Sequence, residues 1–472
     1  MKKKNLIIML FSFILLTLLT GCDQCGDSIF NRVARGFSKE ASQCSTSSTP
    51  TPEESVTLEI SVTKPVSSRT IWVDDEVSKR TISFTHNGDS LSCSRDGGTS
   101  FGSCDSASSL IWLTADYSSQ HVIKVETTDG QSETYSFIPS TDYPGVSFVS
   151  CDSEEDGTNA EFDQFTSAHL GVANKVICIS DAVTISNSAI ILDTAMVFTA
   201  NDITLIAREG QTATFYGNRA TGTSDQQSIF TASGISGVRL VGLNIESSSG
   251  GSSWMLRANT SSEDIQVIDS VLTNSVSTGA HWFIYVTGSS GNTTPIQIIR
   301  STLTADEAKT AVFVSSGTAT ISNSIINTKY RGVHVSIGST ANINNTTVTC
   351  TSTDASDYPV YIYRGTANIN DSTINDGCGN GAVALDDNNF ATSTATMEGT
   401  LIKRTTNASG NTSAALVALG SNTMNFNSTS NQNRICNESG SSEDFTAVSS
   451  GTFGGTWVDA SQLNGGVLAD CP

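Results

Sequence analysis

Ile321-Ser-Asn-Ser-Ile-Ile326 is the stretch on which the fold turns, because the chain repeats it as Ile343-Asn-Asn-Thr-Thr-Val348 and Ile369-Asn-Asp-Ser-Thr-Ile374. Looser copies are Leu240-Val-Gly-Leu-Asn-Ile245, Val267-Ile-Asp-Ser-Val-Leu272, Ile298-Ile-Arg-Ser-Thr-Leu303 and Met397-Glu-Gly-Thr-Leu-Ile402, with Leu205 and Met424 marking outer copies. Intervals between Leu240 and Met424 run from 22 to 31 residues. A variable period in the twenties predicts a solenoid whose strands are fixed and whose loops vary. A second strand follows in each repeat: Phe283-Ile-Tyr-Val286, Ala311-Val-Phe-Val314, Gly332-Val-His-Val335, Val360-Tyr-Ile-Tyr363, Ala382-Val-Ala-Leu385 and Leu416-Val-Ala-Leu419. Helical periodicity is absent here, which excludes leucine-rich and ankyrin-type repeats. Parallel stacking of such coils buries alternate residues and leaves only the two ends as open edges. Nine recurrences at about 4.8 Å each predict a rod of roughly 40 Å.

This pattern resembles the right-handed parallel β-helix of pectate-lyase-like proteins. Asn323, Asn345, Asp371 and Asp269 sit where that family stacks polar residues at a bend. The expected fold is all-β, a right-handed parallel β-helix over residues 150–435 with a C-terminal cap over 436–472. Thr158-Asn-Ala-Glu161 has the form of a capping box, and Phe162 with Phe165 would face one side of a short helix closing the first coil.

Ahead of the solenoid, residues 56–140 alternate apolar and polar in short runs such as Val56–Val62, Thr81–Thr85 and His121–Thr127. Asn87-Gly88, Asp96-Gly-Gly98 and Asp129-Gly130 separate them. Period-two patterning with regular turns predicts an antiparallel β-sandwich. Leu91 to Cys104, with its Cys–Asp-Gly-Gly–Phe–Cys order, followed by His121-Val-Ile-Lys-Val-Glu-Thr-Thr-Asp129, resembles the immunoglobulin-like modules of bacterial surface proteins. The resemblance implies a stalk. Residues 22–55 are Ser/Thr/Pro-rich and read as a flexible tether.

Residues 1–21 carry three lysines, an apolar run from Leu6 to Leu19 and a small-residue site, which together make a secretory signal too short to span a bilayer comfortably. Leu19-Thr-Gly-Cys22 resembles the lipobox of bacterial lipoproteins, where Cys22 would carry the lipid that holds the protein to a membrane, at the periplasmic or cell-surface side of the envelope. A cleaved signal without lipid is the alternative. The remaining ten cysteines suit disulfides in an oxidising compartment, and their spacing suggests Cys25–Cys44, Cys93–Cys104, Cys151–Cys178, Cys350–Cys378 and Cys436–Cys471. No paired C-x₂-C spacing favours zinc instead.

The chain has 46 acidic and 25 basic residues and a net charge of −21 over 472 residues, so it repels nucleic acid and anionic surfaces. On the second strand of each repeat, Val312/Val314, Val333/Val335, Val360/Ile362 and Val383/Leu385 share the inward parity. The other parity, Phe283, Tyr285, Phe313, His334, Tyr361, Tyr363 and Asp386, should line one outer face as an aromatic stripe suited to a glycan. Close packing of like residues is the plainer explanation. Asp386, Asp387, Arg364 and His334 converge near the same strand ends, as acid–base cleavage of a polysaccharide by a lyase or glycoside hydrolase would require. Of the motifs of polygalacturonase-like enzymes only Asp386-Asp387 is matched, and an Arg364–Asp386 salt bridge would explain the cluster equally. Binding or adhesion is therefore the leading expectation, with no cofactor. Asp152, Glu154, Asp156 and Asp163 follow a calcium-loop spacing, without the entering helix such loops have.

Overall fold

The protein is described here by a computed structural model covering residues 58–455, apart from a series of internal segments of which 156–169 and 180–195 are the longest. Three parallel sheets of twelve, ten and nine strands run the length of a β-solenoid. A full coil contributes one strand to each sheet, as Thr318–Ser322, Ile325–Thr328 and Arg331–Val335 do in succession. The first sheet begins earlier and ends later than the sequence repeat, with Ser153–Glu155, Val176–Ile179 and Thr452–Gly455 as added strands. Twelve strands span roughly 50 Å rather than 40 Å. The extra coils carry no Asn-Ser corner, which is why the repeat did not reveal them.

Period-two alternation places one side of every strand inward. Ala319, Ile321, Ala341, Ile343, Ala367 and Ile369 are fully buried, while Thr318, Thr320, Ser322 and their counterparts face outward. These inward residues join Val312, Val314, Val333, Val335, Val360, Ile362, Val383 and Leu385 in one continuous core. Each fully buried Ile or Val contributes about 1.5–3 kcal/mol.

The corner between the first and third sheets explains the Asn-Ser signature. Gly242, Asp269, Arg300, Asn323, Asn345, Asp371 and Gly399 all hold positive φ, from 45° to 66°. Asn, Asp and Gly tolerate the left-handed region at least cost. After the last six of these, the next residue turns a hydroxyl inward, so Ser270, Ser301, Ser324, Thr346, Ser372 and Thr400 are buried, and after Gly242 the buried residue is Leu243. Ser301 Oγ donates to the Ile299 carbonyl at 2.9 Å and accepts the Ser270 amide at 3.1 Å. Ser324 repeats the arrangement toward Ser322 and Ser301. Amides freed by the bend are thus satisfied by the next coil.

The antiparallel part lies between residues 59 and 137. It comprises a three-stranded sheet, in which Arg80–Thr85 pairs with Ser109–Trp112, and a four-stranded sheet of Gly102–Ser103, Leu91–Ser94, His121–Thr127 and Ser132–Phe137. Cys93 and Cys104 form a disulfide across its hairpin, with Cα atoms 5.1 Å apart. Ile71–Val73 pairs in parallel with Ser147–Val149. Val73 then packs with Cys178, Ile206, Val241 and Ile268 on the outside of the first sheet. Arg69 Nη1 donates to the Ala207 carbonyl at 2.7 Å. Arg300 pairs with Asp269 at 2.6 Å and reaches Thr70 Oγ1 at 3.1 Å. Outward positions under this contact are apolar, and beyond it they become Ser322, Asn344, Asn370 and Glu398.

The disulfides Cys151–Cys178 and Cys350–Cys378 also form, with Cα separations of 5.6 and 5.4 Å, each joining adjacent coils. Cys22, Cys25, Cys44 and Cys471 lie outside the described residues, as does the expected capping helix near Thr158. Among the described residues no helix is long and apolar enough to cross a membrane.

Candidate functional site

The outer face of the second sheet carries the aromatic residues. Register places Arg257, Tyr285, Phe313, His334 and Tyr361 side by side on five successive coils. Three residues before each of them stands Trp254, Trp282, Thr310, Arg331 or Tyr358. The two columns interlock. Trp282 stacks on Tyr285 at 5.0 Å and on Phe313 at 4.8 Å, and Tyr285 on Phe313 at 5.5 Å. His334 lies 4.6 Å from Phe313 and 4.9 Å from Tyr361, tilted to both. The Arg257 guanidinium covers Trp254 at 4.7 Å, and that of Arg331 covers Tyr361 at 4.2 Å. Such contacts add a cation–π attraction to the packing.

Ring faces are therefore spent largely on one another. Interplanar angles of 6° to 20° among the Trp, Tyr and Phe pairs from Trp254 to Phe313 leave edges and phenol hydroxyls toward solvent. An aromatic edge is the positive part of the ring quadrupole and suits a sugar oxygen better than a C–H face.

Phe283 is not part of this surface. It is fully buried in the core, contrary to the parity expectation. Both Met255 and Leu256 donate their amides to the Phe283 carbonyl, at 2.9 and 3.3 Å. Two consecutive inward residues recur on other coils of this sheet, as Phe283–Ile284, Ala311–Val312 and Ala382–Val383 alongside Met255–Leu256. Alternation counted backward from Tyr285 therefore fails by one residue. Trp282 occupies the outer position that Phe283 was expected to take, and the same slip hid Trp254, Arg331 and Tyr358.

Beside the rings runs a hydroxyl strip formed by Thr287, Ser315 and Ser336, whose amides bond to the preceding coil at Ala258, Val286 and Val314. Asn259 begins this strip and accepts from Arg257 Nε at 2.9 Å. Tyr363 ends it, with the Arg364 guanidinium 4.7 Å above the Tyr363 ring. Ala384, fully buried, takes the position after Tyr361, so the aromatic column stops there.

His334, Arg364 and Asp386 do gather at this end. The Asp386 carboxylate accepts from the Tyr361 hydroxyl at 2.8 Å. Arg364 meets Asp386 through the main chain, its amide donating to the Asp386 carbonyl at 3.2 Å. Burial, and next the Arg331 charge, push the His334 imidazole down to about 3. Its Nε2 is buried without a hydrogen-bond partner. Burial first, and then the bond to Asp386, raise the Tyr361 phenol well above its ordinary range. The end of the strip thus holds a neutral imidazole and a neutral phenol. Asp387 lies outside the described residues.

Of the expected calcium ligands, Asp152 accepts the Val176 amide at 2.8 Å and faces Lys175 at 3.6 Å, while Glu154 pairs with Arg208 at 2.9 Å. Asp156 and Asp163 lie outside the described residues. Among the described residues no three His, Cys, Asp or Glu side chains group as metal ligands.

No protein-family model matches the chain, and no curated protein matches it. Two solved structures are similar. One is the catalytic unit of a thermostable GH87 alpha-1,3-glucanase from Streptomyces thermodiastaticus, at 11% identity over 85% of this chain and 94% of that one, with a TM-score of 0.34. The other is a family 28 exopolygalacturonase from Yersinia enterocolitica, at 8% identity over 83% and 95%, with a TM-score of 0.31. At such values the likeness carries no argument about what this chain does.

Proposed function

We propose that the chain is a bacterial cell-envelope protein, held by a lipid on Cys22, that binds a glycan along the second sheet of the solenoid. The observation that carries this reading is the pairing of an aromatic column with a parallel hydroxyl strip over successive coils. Ring edges and tyrosine hydroxyls would meet sugar oxygens from one side. Thr287, Ser315 and Ser336 would exchange hydrogen bonds with them from below. A polymer with a repeat near the coil spacing of about 4.8 Å meets equivalent groups at each step. The antiparallel part before the solenoid is taken as an immunoglobulin-like spacer, which favours presentation over turnover.

A second reading, cleavage of a polysaccharide by a hydrolase or lyase, is favoured by one feature. The neutral His334 with its unpartnered Nε2 adjoins the Tyr361–Asp386 pair, which together could take and give a proton. A panel of polysaccharides, with binding and new chain ends scored in the same wells, separates the two. Binding without new ends, lost in Tyr361→Ala/Tyr363→Ala and in Ser315→Tyr, is expected. New ends that vanish in Asp386→Asn would reverse the order of the readings. Binding that both variants retain would remove this face from consideration.

A further inference from the structure

The outer face of the first sheet carries a second ordered surface that the glycan reading does not use. Thr318, Thr340, Thr366, Thr394 and Thr423 are paired in exact succession, one per coil. Two residues along, and on the same face, stand Thr320, Asn342, Asn368, Thr396 and Asn425. No charged residue enters these two columns, in a chain with 46 acidic and 25 basic side chains. All ten are half-buried. The second column is braced along the axis: Asn368 Nδ2 donates to Asn342 Oδ1 at 2.9 Å, and Asn342 Nδ2 to Thr320 Oγ1 at 3.5 Å. The hydroxyls of Thr318, Thr340, Thr366 and Thr394 have no hydrogen-bond partner among the described residues. β-Branching leaves each threonine few χ1 choices, so hydroxyl and methyl hold fixed places.

The surface begins where the apolar contact with Val73 and its neighbours ends, at Ser322, and so continues an interface already filled on the same sheet. With no charged residue in the two columns, the face has nothing with which to select an ionic ligand. What the face offers is a column of threonine hydroxyls and methyls beside a column of threonine hydroxyls and asparagine amides. Its steps are about 4.8 Å along the axis and roughly 6.6 Å along each strand. Those two steps lie close to the short and long oxygen repeats on a prism face of ice. A crystal of water is a ligand made only of hydrogen-bonding groups at such repeats. The threonine hydroxyls and asparagine amides can enter its lattice while the threonine methyls order the water between them.

We propose that the threonine–asparagine face of the first sheet binds ice. The proposal is independent of the glycan reading. Its test is the growth of a single ice crystal in a solution of the chain, read as crystal shape and as the gap between melting and freezing temperatures. Faceted crystals and a measurable gap are expected. Thr366→Tyr, a bulky ring at the centre of the net, should reduce the gap at least tenfold, and Thr340→Tyr should do the same. Thr347→Tyr, on the outer face of the third sheet, should leave it unchanged, with thermal melting showing that all three variants fold. Round crystals with no gap would overturn the proposal, as would a gap that both central variants retain. Retention on an insoluble crystalline polysaccharide, abolished by Thr366→Tyr while ice growth stays normal, would overturn it as well and assign the face to a sugar lattice.

Discussion

Replacing His334 by phenylalanine should make the protein less sensitive to acid, by an amount that the structure sets. His334 sits between Phe313 and Tyr361 with its Nε2 buried and unpartnered, and its folded-state pKa is pushed from 6.5 down to about 3. The unfolded chain therefore takes up a proton on this imidazole as the pH falls through 6.5, while the folded chain does not. Stability from this group is complete above 6.5 and declines as the pH falls toward 3, where the folded form also protonates. The slope is at most about 1.4 kcal/mol per pH unit. Between pH 6.5 and about 5 that amounts to roughly 2 kcal/mol lost by the parent and spared in His334→Phe. Phenylalanine continues the ring column and leaves no unmet ring nitrogen, so the two proteins should be close in stability at about pH 7.5. Denaturant unfolding of both across that range gives the difference directly, with every other titrating group common to the pair. Difference curves that stay flat with pH would refute the argument, and would mean that the imidazole gains a proton acceptor on acidification.

Three further outcomes follow from the packing. Phe283→Ala should cost about 3–5 kcal/mol in thermal or denaturant unfolding, because the ring is fully buried, whereas Tyr285→Ala on the face should cost less. Ser301→Ala removes the acceptor of the buried Ser270 amide and should cost about 1–3 kcal/mol, with faster amide exchange at Ser270 as the local signature. At the corner, Asn323→Val should destabilise by about 1–2 kcal/mol and Asn323→Gly by less, since φ there is 51°. Equal stability of those two variants would show that the corner relaxes out of the left-handed region.

The coils were readable because a parallel solenoid imposes two short rules at once: alternation along a strand and recurrence from coil to coil. Ile321, Ile343 and Ile369 obey both, and the Asn or Asp beside the corner obeys a backbone constraint that few other residues meet. Sequential spacing gave the three disulfides found among the described residues, and for Cys350–Cys378 it was joined by nearly equivalent positions on adjacent coils. The aromatic column was legible at Tyr285, Phe313, His334 and Tyr361. Its second column was not. Two consecutive inward residues break the period of two, and neither Phe283 nor Trp282 carries a local sign of which of them turns inward.

By itself the sequence determined the parallel coils, the bends and the inward face of the first-sheet strands, since these depend on residues a few positions apart and on a repeat that copies them. It also carried a trace of a partner on the first sheet. Leu240-Val, Val267-Ile and Ile298-Ile have apolar residues on the outer side, where later coils have Ile321-Ser, Ile343-Asn and Ile369-Asn. Which segment covers those residues was a matter for tertiary structure alone. Arg300 and Thr70 are 230 residues apart and meet by a hydrogen bond of 3.1 Å, a contact no periodicity encodes. Ring stacking is of the same kind. Sequence can say that aromatic residues share a face, but only the spacing and tilt of folded coils decide whether their faces look toward a ligand or toward each other.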